Sequence, residues 1–257
     1  MKSYAAKHPS AALVHSVFEA FLILAAAGAL MLTPSLANAS HKVYSPYVEK
    51  GELEIEARGH IDQDGARQNK YEVGYGFTDW WFSSVFAEYE QSPGSNMTQS
   101  ATSWENIFQL TEPGKHWLDA GLYLEYESPT DGSPTKLETK LLLEKTAGRY
   151  VNTANLVMQR EVGSGASSTV DLEYAWRTKF KLRPEFEPGI ELYGTAGTLA
   201  APKFDSSQSA QLGPVATGKF HLGGRSTIAY ELGYLFGLNN ASPSGTVKWL
   251  VEYEHVL

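Results

Sequence analysis

The sequence predicts an all-β chain: a transmembrane antiparallel β-barrel of about twelve strands that follows an N-terminal signal peptide. Three observations carry this. The first residues have the layout of a secretory leader, apolar and polar residues alternate with a period of two in segment after segment, and the connections between segments alternate between short and long.

The leader begins with Lys2 and Lys7, continues through an apolar run from Ala20 to Leu32, and ends at Pro34 and Ala37-Asn38-Ala39. That run is shorter than the ~20 residues a helix needs to span a hydrocarbon core, Glu19 bounds it, and small residues mark a cleavage point. Residues 1–39 are therefore expected to be removed, leaving 40–257 as one outer-membrane barrel domain. The chain carries 21 Lys and Arg against 29 Asp and Glu, a formal charge of −8, and losing a leader with two lysines and one glutamate makes the rest more acidic. An acidic surplus argues against nucleic acid as a partner. Cysteine is absent, so neither disulfides nor thiolate–metal bonds are available to an exported chain, and stability is expected from a closed hydrogen-bonded cylinder.

In order, the first segment is Gly51–Ile61, where Glu52, Glu54 and Glu56 alternate with Leu53, Ile55 and Ala57. The next apolar faces are Tyr71, Val73, Tyr75 and Phe77; Trp81, Val85, Ala87 and Tyr89; and Trp104, Phe108 and Leu110. Leu118 to Tyr126 follows, then Leu137, Leu141 and Leu143, then Tyr150 to Met158, then Val170 to Trp176. Ile190 and Leu192 mark a ninth segment. Leu212 to Phe220 is a weak tenth, because it holds Pro214 and glycines. Ile228 to Phe236 and Val247 to Tyr253 complete twelve.

Longer polar connections are expected at Asp62–Asn69, Gln91–Ala101, Ser128–Thr135, Gly163–Ser168, Ala200–Ala210 and Asn239–Gly245. Short ones are expected at Thr78-Asp79, Thr111–Lys115, Thr146–Gly148, Leu182–Phe186 and Leu222–Arg225. Outer-membrane barrels have long outer loops and short periplasmic turns, so an even strand count puts both mature ends on the periplasmic side.

Alternation alone does not say which face points outward. The chain has 14 Tyr, 11 Phe and 6 Trp, and Trp81, Tyr89, Tyr126, Tyr150, Trp176 and Trp249 are spaced as an interfacial girdle would be. Twelve tilted strands suffice to cross a membrane, whereas a lipocalin-like soluble barrel needs eight. The charged parity then faces a lumen. Its candidate lining includes Glu54, Glu56, Arg58, Glu72, Glu138, Lys140, Asp171, Glu173, Arg177 and Glu252, with carboxylates in excess.

The stretch 51–59, Gly-Glu-Leu-Glu-Ile-Glu-Ala-Arg-Gly, together with Tyr75-Gly76-Phe77-Thr78-Asp79-Trp80, resembles the opening of bacterial outer-membrane proteins of the transporter and MetA-pathway phenol-degradation type. The resemblance implies an outer-membrane barrel with a transport role for aromatic or other small hydrophobic compounds, and it names no catalytic residue. Val247, Trp249, Val251, Tyr253 and His255 also resemble the C-terminal strand signal of such proteins, with Leu257 standing where an aromatic is usual.

No catalytic, cofactor or metal residue is expected. An outer-membrane lipid hydrolase would need a nucleophile and an orienting partner beside a rim histidine, and His60, near Asp62 and Asp64, reads as a surface histidine in a polar loop. Asp62-Gln63-Asp64-Gly65 lacks the distal Glu of a calcium loop and reads as a turn. Gly163-Ser164-Gly165 opens no helix and cradles no phosphate. The expected function is a passive channel or transporter for small solutes, with outer-membrane lipids and the barrel-assembly machinery as partners. A filled structural or adhesive barrel is the alternative.

Overall fold

The computed structural model describes residues 41–257; the expected leader, residues 1–39, lies outside the described residues. Twelve long strands form the wall: β1 (Glu52–Asp62), β2 (Arg67–Gly76), β3 (Trp81–Gln91), β4 (Thr98–Gln109), β5 (Asp119–Pro129), β6 (Thr135–Ala147), β7 (Tyr150–Val162), β8 (Asp171–Phe180), β9 (Glu187–Thr198), β11 (Ala210–Gly223), β12 (Ser226–Gly237) and β13 (Gly245–Val256). A two-residue β10 (Ala201–Pro202) folds back on the end of β9 within the loop before β11.

Each long strand pairs antiparallel with its chain neighbour, and β13 pairs with β1 from Glu52↔Val256 to Asp62↔Thr246. The sheet is thereby closed, and no wall strand is left with an unpaired edge. All twelve expected segments are strands. The weak tenth is β11: its register with β9 runs unbroken through Pro214↔Ile190, while pairing to β12 skips from Leu212↔Phe236 to Val215↔Gly233.

Ion pairs between strands that are not neighbours identify the inner face. Lys248 of β13 reaches Glu191 of β9 at 2.7 Å, and Arg177 of β8 reaches Glu231 of β12 at 2.5 Å. Both chords cross the interior. The opposite parity is apolar and exposed, as at Val85 (56 %), Leu156 (51 %) and Leu232 (53 %). A closed barrel with a greasy exterior and a charged interior is a transmembrane barrel.

Several connections differ from expectation; the second outer loop, for one, is only residues 92–97, because β4 begins at Thr98. The first outer loop is only residues 63–66, because β2 begins at Arg67; Gly65, at φ 98°, makes the turn, and Asp62 N–H donates to the Ala66 carbonyl at 2.8 Å. The periplasmic connection between β4 and β5 is longer than expected, residues 110–118. Side chains brace it: Ala120 N–H donates to Thr111 Oγ1 at 2.8 Å, and Gly114 N–H to the Asp119 carboxylate at 3.0 Å. In the outer loops, hydrogen bonds from Ser133 and Ser207 hold the Asp131 and Asp205 carboxyls below the usual carboxylate range.

Trp249 does not project as a girdle residue should. It is 6 % exposed and packs with Ile55 and Ala57, its ring lying over Gly59, where a Cβ would come within 3.1 Å of it. Tyr126 and Tyr150 are exposed as expected.

Candidate functional site

Residues 41–50 leave the periplasmic rim and run up inside the barrel. Gly51, at φ 82°, reverses the chain where β1 starts, and its N–H donates to the Gly76 carbonyl at 2.8 Å. From there the segment climbs. Tyr47 Oη donates to Asp119 at the foot of β5 at 2.7 Å, Ser45 and Tyr44 lie at mid-height, and the His41 ring stacks edge-on against His60 near the top of β1 at 4.4 Å. Burial and the Asp119 hydrogen bond raise the pKa of the Tyr47 phenol.

Inside a closed barrel no strand edge is free to pair with this segment, so side chains supply its partners. Asn155 of β7 accepts from Tyr44 N–H at 2.8 Å and donates to the Tyr44 carbonyl at 2.9 Å. Gln109 accepts from Val48 N–H at 2.9 Å, and Arg177 donates to the Val43 carbonyl at 3.2 Å. Two inward-facing glycines clear the path. A Cβ on Gly76 would lie 1.9 Å from the Glu49 carbonyl oxygen, and one on Gly121 would lie 3.0 Å from Pro46.

The segment also brings apolar surface into the lumen. Tyr44 packs with Phe82, Ile107, Tyr123 and Leu142, joined by Val48; Val43 packs with Ala175, Tyr193 and Leu235. These wall residues share the parity of the charged groups, and the sequence reading overlooked them. Lys140 Nζ sits 4.2 Å from the Tyr44 ring centroid and 4.1 Å from that of Tyr123.

Of the candidate lining residues, Glu54, Glu56 and Glu252 converge, with carboxylate oxygens within 4.8 Å of one another. Lys42 Nζ lies among them, 2.6 Å from Glu56, 3.9 Å from Glu54 and 4.0 Å from Glu252. Arg58 pairs with Glu56 and, at 2.6 Å, with Glu72. Arg177, Glu191, Glu231 and Lys248 form a second network, and Lys140 pairs with Glu138 at 2.8 Å. Glu173 lines the outer cavity, whereas Asp171 is exposed at the outer rim of β8 and joins neither network.

His60 is not a surface histidine. It lies in β1, 2 % exposed, facing the interior beside His41. Asp62-Gln63-Asp64-Gly65 is the expected turn, with Asp62 receiving Thr246 Oγ1.

Two cavities flank the segment, and Lys42 borders both. The outer one, about 340 Å³, is lined by groups including His41, Glu138, Glu173, Tyr174 and Gln211. The periplasmic one, about 680 Å³, is lined by Glu52, Glu54, Lys179, Lys219, Glu252 and Glu254 among others.

No protein-family model matches the sequence, and no curated protein matches it. Among solved structures, the NanC porin superposes with a TM-score of 0.53 at 10 % identity over 80 % of this chain and 100 % of that chain. The KdgM porin in complex with disordered oligogalacturonate gives 0.51 at 10 % identity, over 79 % and 99 %. Such likeness shows the fold. With its apolar exterior and charged interior, the chain is a closed outer-membrane β-barrel of porin-like architecture.

Proposed function

We propose that the protein is a passive channel for small solutes, made as a precursor whose residues 1–39 are removed, and that residues 41–50 obstruct its lumen in the state described. The observation that carries this is the pair of solute-sized cavities on either side of Lys42, both lined by charged and hydrogen-bonding groups. Carboxylates outnumber ammonium and guanidinium groups on the inner face, so cations and neutral solutes are favoured. Oligogalacturonate, whose units each carry a carboxylate, suits this lining poorly. The resemblance to transporters of small aromatic compounds is compatible with the inward-facing Tyr193 ring at the outer cavity. Lipid and the barrel-assembly machinery are the proposed partners in the membrane.

The test is single-channel recording in planar bilayers with the mature chain and with a form lacking residues 41–49. Current steps that grow on truncation, with a reversal potential favouring K⁺ over Cl⁻, support the channel. A second reading, a filled structural barrel, draws on the apolar clusters around Tyr44 and Val43. It requires both forms to be silent, and that outcome removes the channel.

A further inference from the structure

We infer that the barrel interior is a binding site for extended oligopeptides that carry a basic side chain two residues before an aromatic one, and that residues 41–48 are its resident occupant. The inference deepens the channel reading and rests on it for the ligand's route inward.

The geometry has the two parts that peptide recognition needs. One reads main chain: the Asn155 carboxamide pairs with both the N–H and the carbonyl of Tyr44, as a neighbouring strand would, while Gln109 and Arg177 take a further N–H and carbonyl. These contacts do not depend on which residues the peptide holds. The other part reads side chains. The carboxylates of Glu54, Glu56 and Glu252 surround the Lys42 ammonium, and the Tyr44 ring enters an apolar pocket with its hydroxyl donating to Glu105 at 3.1 Å.

The wall itself needs none of these groups for pairing, because each strand is already bonded to two neighbours. Withdrawal of the segment leaves Asn155, Gln109 and the three carboxylates facing a vacated lumen, where a chain of the same chemistry restores every bond. The tether gives the resident segment a high local concentration, so a free peptide competes well only once the segment is weakened.

The test uses the folded full chain carrying Lys42→Ala and Tyr44→Ala, and a fluorescein-labelled peptide with the sequence of residues 41–49. Binding is read by fluorescence anisotropy in detergent, with folding checked by heat-modifiable gel migration. The labelled peptide is expected to bind the double variant well above its level on the wild type. Peptides with Lys42→Glu or Tyr44→Ala are expected to bind about ten-fold or more weaker. A chain beginning at Lys50 serves as the second receptor should the double variant not fold. Equal binding of a scrambled peptide, or none to a folded receptor, overturns the inference. Anisotropy does not depend on current: peptide binding to a barrel that never conducts defeats the channel alone, and conduction without peptide binding defeats this inference alone.

Discussion

Asn155 holds Tyr44 by both of its main-chain polar groups, N–H to Oδ1 at 2.8 Å and Nδ2–H to carbonyl at 2.9 Å. One wall side chain thus does for the lumenal segment what a paired strand does elsewhere. Replacing Asn155 with Ala leaves that N–H and carbonyl without these partners, at a cost of about 2 kcal/mol. Hydrogen exchange at the Tyr44 amide should quicken by more than ten-fold while the wall amides of β7 stay protected. Unchanged exchange at Tyr44 would show that the clasp does not hold the segment.

Gly76→Ala should displace the segment more than Gly121→Ala. The added methyl would stand 1.9 Å from the Glu49 carbonyl in the first case, a backbone overlap that no side-chain rotation relieves, against 3.0 Å from Pro46 in the second. Trypsin susceptibility at Lys42 and Lys50 of the folded protein reads the difference. Equal protection in both variants contradicts the ranking.

Lys42→Glu adds a fourth carboxylate to Glu54, Glu56 and Glu252. An uncompensated buried charge costs about 3–5 kcal/mol, enough to drive the segment from its place. Conductance should rise toward that of the form lacking residues 41–49, whereas Lys42→Gln should change it far less. Identical currents from the two variants count against charge as the cause.

Lys248→Met tests the inner network independently of the segment. Lys248 neutralises both Glu191 and Glu231, each buried, and its loss leaves Arg177 as their one cationic neighbour in that network. Stability should fall by about 3 kcal/mol or more, read as a lower urea midpoint for unfolding from lipid vesicles. No shift in the midpoint would mean that the chord between β13 and β9 contributes nothing to holding the wall.

On the outer face, Val85→Arg and Leu156→Arg should each cost about 2–4 kcal/mol in a bilayer, since both side chains project outward from mid-strand. Asp171→Arg at the rim should be nearly neutral. If all three behave alike, lipid does not contact the apolar parity.

The wall was legible residue by residue. Alternation such as Glu52 to Ala57 sets a strand because side chains in an extended chain point to opposite faces, and even β11, with Pro214 inside it, keeps its place because β9 pairs with it without a break from Ala210 to Thr217. The same parity carried a signal that went unread: Phe82, Tyr123, Leu142, Tyr193 and Leu235 lie on the charged face, where apolar groups have no use in a water-filled lumen. Residues 41–50 alternate no better than a loop does, and nothing local marks them as an insert.

By itself, then, the sequence determined the strands, their order and which side chains share a face, since these follow from local periodicity and from the need to pair every backbone group in lipid. Only the tertiary structure decided what fills the cylinder. Contacts such as Lys42 with Glu252, or Tyr44 with Asn155, join positions more than a hundred residues apart, and they exist only after closure brings opposite walls within reach of one segment.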